Sequence, residues 1–506
     1  MNIRTSTVCP LLLVSALAVT ASAQPNSCES VASLALPNGA ITLAQAVPAG
    51  PLQQQGRGGR GGPVLNLPAH CRVAATLKPS ADSEILMEIW LPASGWNGSL
   101  EEDGNGAWTG SINAASLAAG LQRGYAATMS DLGHEGGSAS FALGHPEKLV
   151  DFGYRAAHET ALAAKAIATK YYGRAPKYAY WNGCSAGGRS ALMEAQRYPN
   201  DFDGIVAGSP GLNWTGRATQ AVWIAQATHK DDASFIPASK FALLHNAAIQ
   251  ACDARDGAKD GIIEDPTRCN FDPKELECKD ADGPACLTKA QVETARAIYS
   301  AYPNQGNQQQ IFPGFERGSE LGWNTMAGQN AFGPGTDLFK FIVFQDPNWD
   351  YKTFNFATDV TRTEKADGGI MNAMNPDLKA FQAHGGKMIQ YHGWADPQIA
   401  PGSSVNYYKA VLETMGGAAK VQSFYRLFMV PGMAHCGGGE GTSTFDMMTA
   451  LSGWVEKGQT PEQIPASRVK DGQVDRTRPL CPYPQVAQYK GSGSLDDAAN
   501  FTCKAQ

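Results

Sequence analysis

Residues 178–188 read YAYWNGCSAGG. The first four have the aromatic, apolar make-up of a short buried strand, and residues 188–198 pattern as a helix. Between them, Gly183-Cys184-Ser185-Ala186-Gly187 satisfies G-x-S-x-G. A serine held on a tight strand-to-helix turn needs glycine neighbours, because flanking Cβ atoms would clash there. The helix start also places free N–H groups and a positive dipole end beside the serine oxygen. Ser185 is therefore the candidate nucleophile.

The same alternation extends outward. Residues 84–91 (EILMEIWL) and 125–130 (YAATMS) read as strands. Residues 154–172 form an Ala-rich helix, ended by Gly173-Arg174-Ala175-Pro176. After residue 385 the pattern resumes with strands at 387–391 (KMIQY) and 424–430 (FYRLFMV). Strands alternating with helices predict a mostly parallel sheet covered on both faces, an α/β fold. Between residues 213 and 383 the alternation breaks down, so that stretch reads as an insertion. The expected organisation is a catalytic domain of residues 24–212 and 384–506, interrupted by a lid of residues 213–383. No internal repeats are found.

Partners for Ser185 should follow in the order acid, then histidine, each in a loop after a strand. Asp396 lies in His392-Gly393-Trp394-Ala395-Asp396-Pro397, after the strand at 387–391. His435 lies in Pro431-Gly432-Met433-Ala434-His435-Cys436, after the strand at 424–430. His392 precedes the acid and reads as a structural hydrogen-bonding residue. The remaining histidines, His245 among them, lack this context and read as ordinary polar residues. An oxyanion needs two donors. The N–H of Ala186 supplies one, and Gly104 in Asp103-Gly104-Asn105-Gly106 is the candidate for the other.

The N-terminus reads as a secretory signal over residues 1–23. Arg4 precedes an apolar run at 10–20, and Ala21-Ser22-Ala23 matches a small-x-small cleavage site. That run is too short to span a bilayer, so export to the periplasm or beyond is expected rather than membrane embedding. Ten of eleven cysteines follow it, an even count that suits five disulfides in an exported chain. Short loops favour Cys252 with Cys269, Cys278 with Cys286, and Cys481 with Cys503. Cys184 precedes the nucleophile and Cys436 follows the base, so a bridge between them would hold Ser185 and His435 within reach. The net charge of −6 argues against nucleic acid as the main partner. Residues 50–63 (GPLQQQGRGGRGGP) read as a surface loop.

Residues 253–262 (DARDGAKDGI) space three carboxylates through two glycines. Hard oxygens from Asp253, Asp256 and Asp260, with the carbonyls of Ala258 and Ile262, would suit Ca²⁺ in a structural role.

Together the motifs GCSAGG (183–188), YPNDFDGIVAGSPG (198–211), 253–262, 392–396, 431–436 and RTRPLCPY (476–483) resemble the tannase and feruloyl esterase family. That resemblance implies an α/β-hydrolase core, a large lid holding the acyl pocket, a lid calcium site and all five disulfides, including Cys28 with Cys71. It also implies a small aromatic ester as substrate, feruloyl esters first and galloyl or terephthalate monoesters as alternatives. Ala186 departs from the terephthalate-ester hydrolases of the family, which carry Glu there. Trp214, Trp223, Phe312, Trp323, Phe341 and Trp349 are candidates to line an aromatic pocket, although lid core is the commoner place for such residues. Triad chemistry alone leaves an amidase or peptidase open. A non-catalytic calcium or carbohydrate binder on the same scaffold is the third alternative, opposed by the intact Ser185, Asp396 and His435.

Overall fold

The computed structural model describes residues 25–52, 65–303 and 310–505. The signal segment, most of the 50–63 stretch and residues 304–309 lie outside them.

Nine strands form one sheet: β1 Gly39–Val47, β2 His70–Leu77, β3 Ile85–Pro92, β4 Ser99–Asp103, β5 Ala126–Ser130, β6 Tyr178–Cys184, β7 Gly204–Gly208, β8 Lys387–Gly393 and β9 Tyr425–Val430. Their spatial order is β1-β2-β3-β5-β4-β6-β7-β8-β9. From β5 to β9 every neighbouring pair is parallel. β1, β2 and β3 form an antiparallel meander on one edge, and Cys28–Cys71 ties the chain start to β2. The strands read from the sequence miss β1, β2, β4 and β7.

Side chains along the parallel strands alternate between two buried faces, as a sheet covered on both sides requires. Tyr180, Val206, Ile389 and Phe428 meet Leu451 and Trp454 of the helix Met447–Lys457. Ala179, Trp181, Ile205, Ala207, Met388 and Leu427 point the other way. They join the core that holds the helices Ala156–Tyr172, Ala186–Arg197 and Gly402–Met415.

β7 and β8 are neighbours in the sheet, so the whole 209–386 segment leaves and returns between them. It is not a separate body. Trp214, Ala218, Leu338, Phe339 and Trp349 belong to the same buried cluster as the sheet's helices. A second cluster, with Phe312, Trp323, Phe241 and Val292, fills the rest and reaches Ile399 and Ala400 beyond β8. Four of the six aromatic candidates are thus fully packed, and Trp223 and Phe341 are partly buried. After β9 the chain adds the antiparallel strands Ile464–Lys470 and Gln473–Leu480. A terminal hairpin, Gln485–Tyr489 with Phe501–Ala505, is closed by Cys481–Cys503.

Candidate active site

The site lies at the carboxyl ends of β6, β8 and β9. Ser185 follows β6 with φ 64° and ψ −119°, a left-handed conformation that costs a non-glycine residue about 1–3 kcal/mol. Neighbouring backbone over-determines it. The Ser185 N–H donates to Gly208 O (2.9 Å), and Ser185 O accepts from Gly211 N (3.1 Å) and Arg189 N (3.0 Å). Two close approaches exclude side chains here. A Cβ on Gly188 would lie 2.3 Å from Gly208 O, and one on Gly104 would lie 2.5 Å from Gly187 Cα.

Oγ of Ser185 lies 2.9 Å from His435 Nε2, and His435 Nδ1 lies 2.7 Å from Asp396 Oδ2. Asp396 is fully buried. Burial alone would raise its pKa. The neighbouring His435 charge and the hydrogen bonds from His392 and His435 outweigh this and hold the carboxyl below the usual carboxylate range. Its second oxygen accepts from Gln398 N (2.8 Å) and Ile399 N (3.0 Å). An ionised carboxylate against Nδ1 fixes the tautomer: Nδ1 carries the proton and Nε2 is free to accept from Ser185.

His392 shares Asp396. Its Nε2 faces Asp396 Oδ2 (3.1 Å) and Ile399 O (3.0 Å), both acceptors, so Nε2 carries a proton. Its Nδ1 meets the Ser404 hydroxyl at 2.7 Å. The ring is fully buried and orients the acid from behind.

Residues 431–441 form a tight loop with His435 near its tip. Gly432 O accepts from Glu440 N (3.0 Å) and Gly441 N (3.1 Å), and Ala434 N donates to Gly438 O (3.3 Å). Cys436, at φ 62°, is bridged to Cys184 with Cα atoms 6.0 Å apart. The other four disulfides join Cys28–Cys71, Cys252–Cys269, Cys278–Cys286 and Cys481–Cys503.

One sequence expectation needs correction. The Gly104 N–H is already used: it donates to Asn182 O at 3.0 Å, extending the β4–β6 ladder by one step. A donor spent in the sheet cannot serve an oxyanion. Gly104 is needed for its close approach to Gly187 instead. The next two N–H groups of that loop, on Asn105 and Gly106, have no partner among the described residues, and neither does the Ala186 N–H at the start of the nucleophile helix.

The acidic loop follows the helix Phe241–Cys252 and turns at Gly257 (φ 88°) and Gly261 (φ 83°). Asp253 accepts from Asp260 N and Gly261 N, Asp256 from Ala258 N, and Asp260 from Ile262 N. Arg478 and Arg476 also reach Asp260. Buried Glu264 stands beside them, accepting from Ala487 N. Burial and the nearby Asp260 and Asp253 push Asp256 up to about 6, and burial pushes Glu264 up to about 8. With Glu264 protonated at neutral pH, three aspartates stand against two guanidinium groups in a sheltered place. Hard oxygens are the donors a divalent cation takes, although these carboxylate oxygens do not all lie within 4.8 Å of one another. Among the described residues, the one trio of ligand atoms within 4.8 Å of one another is Cys278, Asp282 and Cys286, whose sulfurs form a disulfide. Although distant in sequence from the triad, the acidic loop touches the His435 loop: a Cβ on Gly432 would sit 2.8 Å from Ile262 Cδ1.

Sequence reasoning passed over a second link to the His435 loop. His245 Nε2 lies 2.7 Å from Glu440, and its Nδ1 lies 3.0 Å from Glu320, which also accepts from the Tyr299 hydroxyl (2.5 Å). Burial opposes its charge, but the bonds to Glu320 and Glu440 prevail and raise His245 to about 9. No motif marks these residues, since they come from distant parts of the chain.

A largely parallel sheet with the nucleophile turn, acid and base at the carboxyl ends of β6, β8 and β9 defines an α/β-hydrolase. A family model described as tannase and feruloyl esterase matches residues 71–504, so the chain belongs to that family and is a carboxylic ester hydrolase. An uncharacterised esterase of Xanthomonas campestris pv. campestris is 39% identical, covering 97% of this chain and 93% of that protein. A probable feruloyl esterase B-1 of Aspergillus fumigatus is 34% identical over 88% of each chain. The crystal structure of feruloyl esterase B from Aspergillus oryzae superposes with a TM-score of 0.88 at 32% identity, covering 94% of this chain and 99% of that one. Among the described residues, no helix is long and apolar enough to cross a membrane.

Proposed function

We propose that this esterase cleaves esters of small aromatic acids through an acyl-enzyme on Ser185, with hydroxycinnamoyl (feruloyl-type) esters preferred. The observation that carries the mechanism is the Ser185–His435–Asp396 chain of hydrogen bonds at 2.9 and 2.7 Å. His435 Nε2 takes the hydroxyl proton as Ser185 Oγ bonds to the ester carbonyl carbon. Asp396 stabilises the imidazolium through Nδ1–H. The oxyanion draws on the Ala186 N–H and on a free N–H of Asn105 or Gly106. The tetrahedral intermediate then expels the alkoxide, which leaves as the alcohol with the proton from Nε2. Water repeats the sequence on the acyl-enzyme and releases the acid.

The acyl preference draws on the feruloyl esterases to which the chain is similar, with galloyl esters second. Methyl ferulate, chlorogenate and propyl gallate assayed side by side test it; no turnover on all three refutes the class. Ser185→Ala should reduce kcat by about 10⁴-fold or more with the fold intact, and retained turnover would refute the mechanism.

The acidic loop is the proposed Ca²⁺ site, held by Asp253, Asp256 and Asp260 with the carbonyls of Ala258 and Ile262. The ion would supply charge neutralisation there. Calcium titration after chelation tests it, and no heat at millimolar calcium would refute it. Five disulfides and the signal-like residues 1–23 support export of the protein.

A further inference from the structure

Arg217 is the fourth residue of the helix Trp214–Thr228 and is 4% exposed. Three features make it costly. Taking a guanidinium out of water costs several kcal/mol unless its donors are filled. The first turn of a helix disfavours a cation. Among the described residues, its side chain's only hydrogen bond is from Nε to Gln398 O at 3.2 Å, and it forms no ion pair. Both amino groups are left without a protein acceptor.

Arg189 shows what a structural buried arginine looks like in the same core. It is fully buried, and its amino groups donate to Gly153 O (2.7 Å) and Phe152 O (3.0 Å). Arg478 likewise meets Asp260 and Leu495 O. Arg217 has no such arrangement, so its fork of donors has an unfilled side.

Its neighbours place it beside the backbone of the triad. The loop leading into its helix is pinned to the nucleophile by Gly211 N to Ser185 O, and Gln398, its one acceptor, donates to Asp396. The guanidinium carbon lies 5.0 Å from the ring centre of Phe332 and 5.8 Å from that of Trp214. Arg217 thus stands where the inserted segment, through Phe332, meets the backbone that carries Ser185 and Asp396. Burial lowers its pKa to about 10, and the Asp396 charge acts in the opposite direction. It stays cationic at neutral pH.

We propose that Arg217 is a specificity residue that binds an oxygen on the ring of the acyl acid, a phenolic hydroxyl or a carboxylate. A guanidinium with unfilled amino donors, flanked by aromatic rings and bonded to the Gln398 that donates to Asp396, matches an aromatic acid with an oxygen acceptor. The proposal rests on the aromatic-ester reading given above.

Methyl cinnamate, methyl ferulate and monomethyl terephthalate separate an unsubstituted ring from a phenolic one and a carboxylated one. Wild type should favour at least one ring-oxygen ester over cinnamate. Arg217→Met should lower kcat/KM for the favoured ester by about tenfold or more, mainly through KM, and leave cinnamate within about twofold. An equal fall on all three esters through kcat would overturn the proposal and assign Arg217 to holding Asp396. If Arg217→Met does not fold, Arg217→Lys keeps the charge and loses the fork. The same selective loss is then expected, and unchanged ratios overturn the proposal. If wild type turns over none of the three, the aromatic-ester reading fails first; turnover without the selective loss refutes Arg217 alone.

Discussion

Two glycine-rich loops touch at Ile262 and Gly432, and they keep their shapes by opposite means. The loop at 431–441 closes on itself through backbone: Gly432 O takes two N–H groups and Ala434 N reaches Gly438 O. The loop at 253–262 closes through side-chain carboxylates, each accepting backbone N–H groups. A disulfide anchors each, Cys184–Cys436 and Cys252–Cys269. Backbone closure is neutral, so it needs no counter-charge and does not respond to salt or chelators. Carboxylate closure accumulates charge in a sheltered place and depends on whatever balances it. The group needing fixed geometry, His435, sits on the loop that closes through backbone.

The largest effect that could break this contrast comes from His435→Ala. It should cost about 10⁴-fold or more in kcat while melting stays within a few degrees of wild type. A large fall in melting temperature would mean that the imidazole helps to hold the loop. Next is Cys184→Ser with Cys436→Ser, for which removal of a bridge predicts a loss of roughly 2–4 kcal/mol. Circular dichroism and turnover recorded together below the melting point should show activity falling first. Coincident loss would mean that the staple serves only general stability.

A smaller effect is expected from chelation. Removing divalent ions should lower the melting temperature by several degrees, while turnover at 20 °C falls much less. Asp256→Asn should remove most of that response, and an unchanged chelator response would exclude this loop as the ion's seat.

The smallest effect concerns His245, the charged link from the insert to Glu440. Its folded pKa is raised to about 9 by Glu320 and Glu440. A raised pKa contributes stability that is fully present below the unfolded value, about 6.5, and is lost as pH rises through 9. Thermal melts across pH 6 to 10 should show this decline in wild type and a shallower one in Glu440→Gln. Parallel curves would show that the pair contributes nothing measurable.

The strands that carry the triad, β6, β8 and β9, were legible because their signals are local. A buried strand, a G-x-S-x-G turn and a helix lie within twenty residues, and Asp396 and His435 each follow a strand directly. The insert carried no such period, and its partition between two cores emerged only from contacts such as Trp214 with Trp108. The Gly104 expectation failed for a related reason. Sequence can show that a loop has donors, but which N–H the sheet consumes depends on register with β6. His245, Glu320 and Glu440 were invisible because nothing in spacing links residues that meet across three segments.

The bare seam where Gly104 meets Gly187 and Gly188 meets Gly208 also bears on how this enzyme can change over generations. A Cβ on Gly104 or Gly188 collides with backbone and one on Gly208 with the Tyr391 ring, so the ground beneath the nucleophile has almost no tolerated substitutions. The inserted segment, packed by interchangeable apolar side chains, has many. Adaptation to new esters should therefore accumulate in the insert, while the seam stays frozen and the hydrolytic step is inherited unchanged. A mutational library scored for folding and turnover would show two populations of positions, one intolerant and one permissive, divided along that seam.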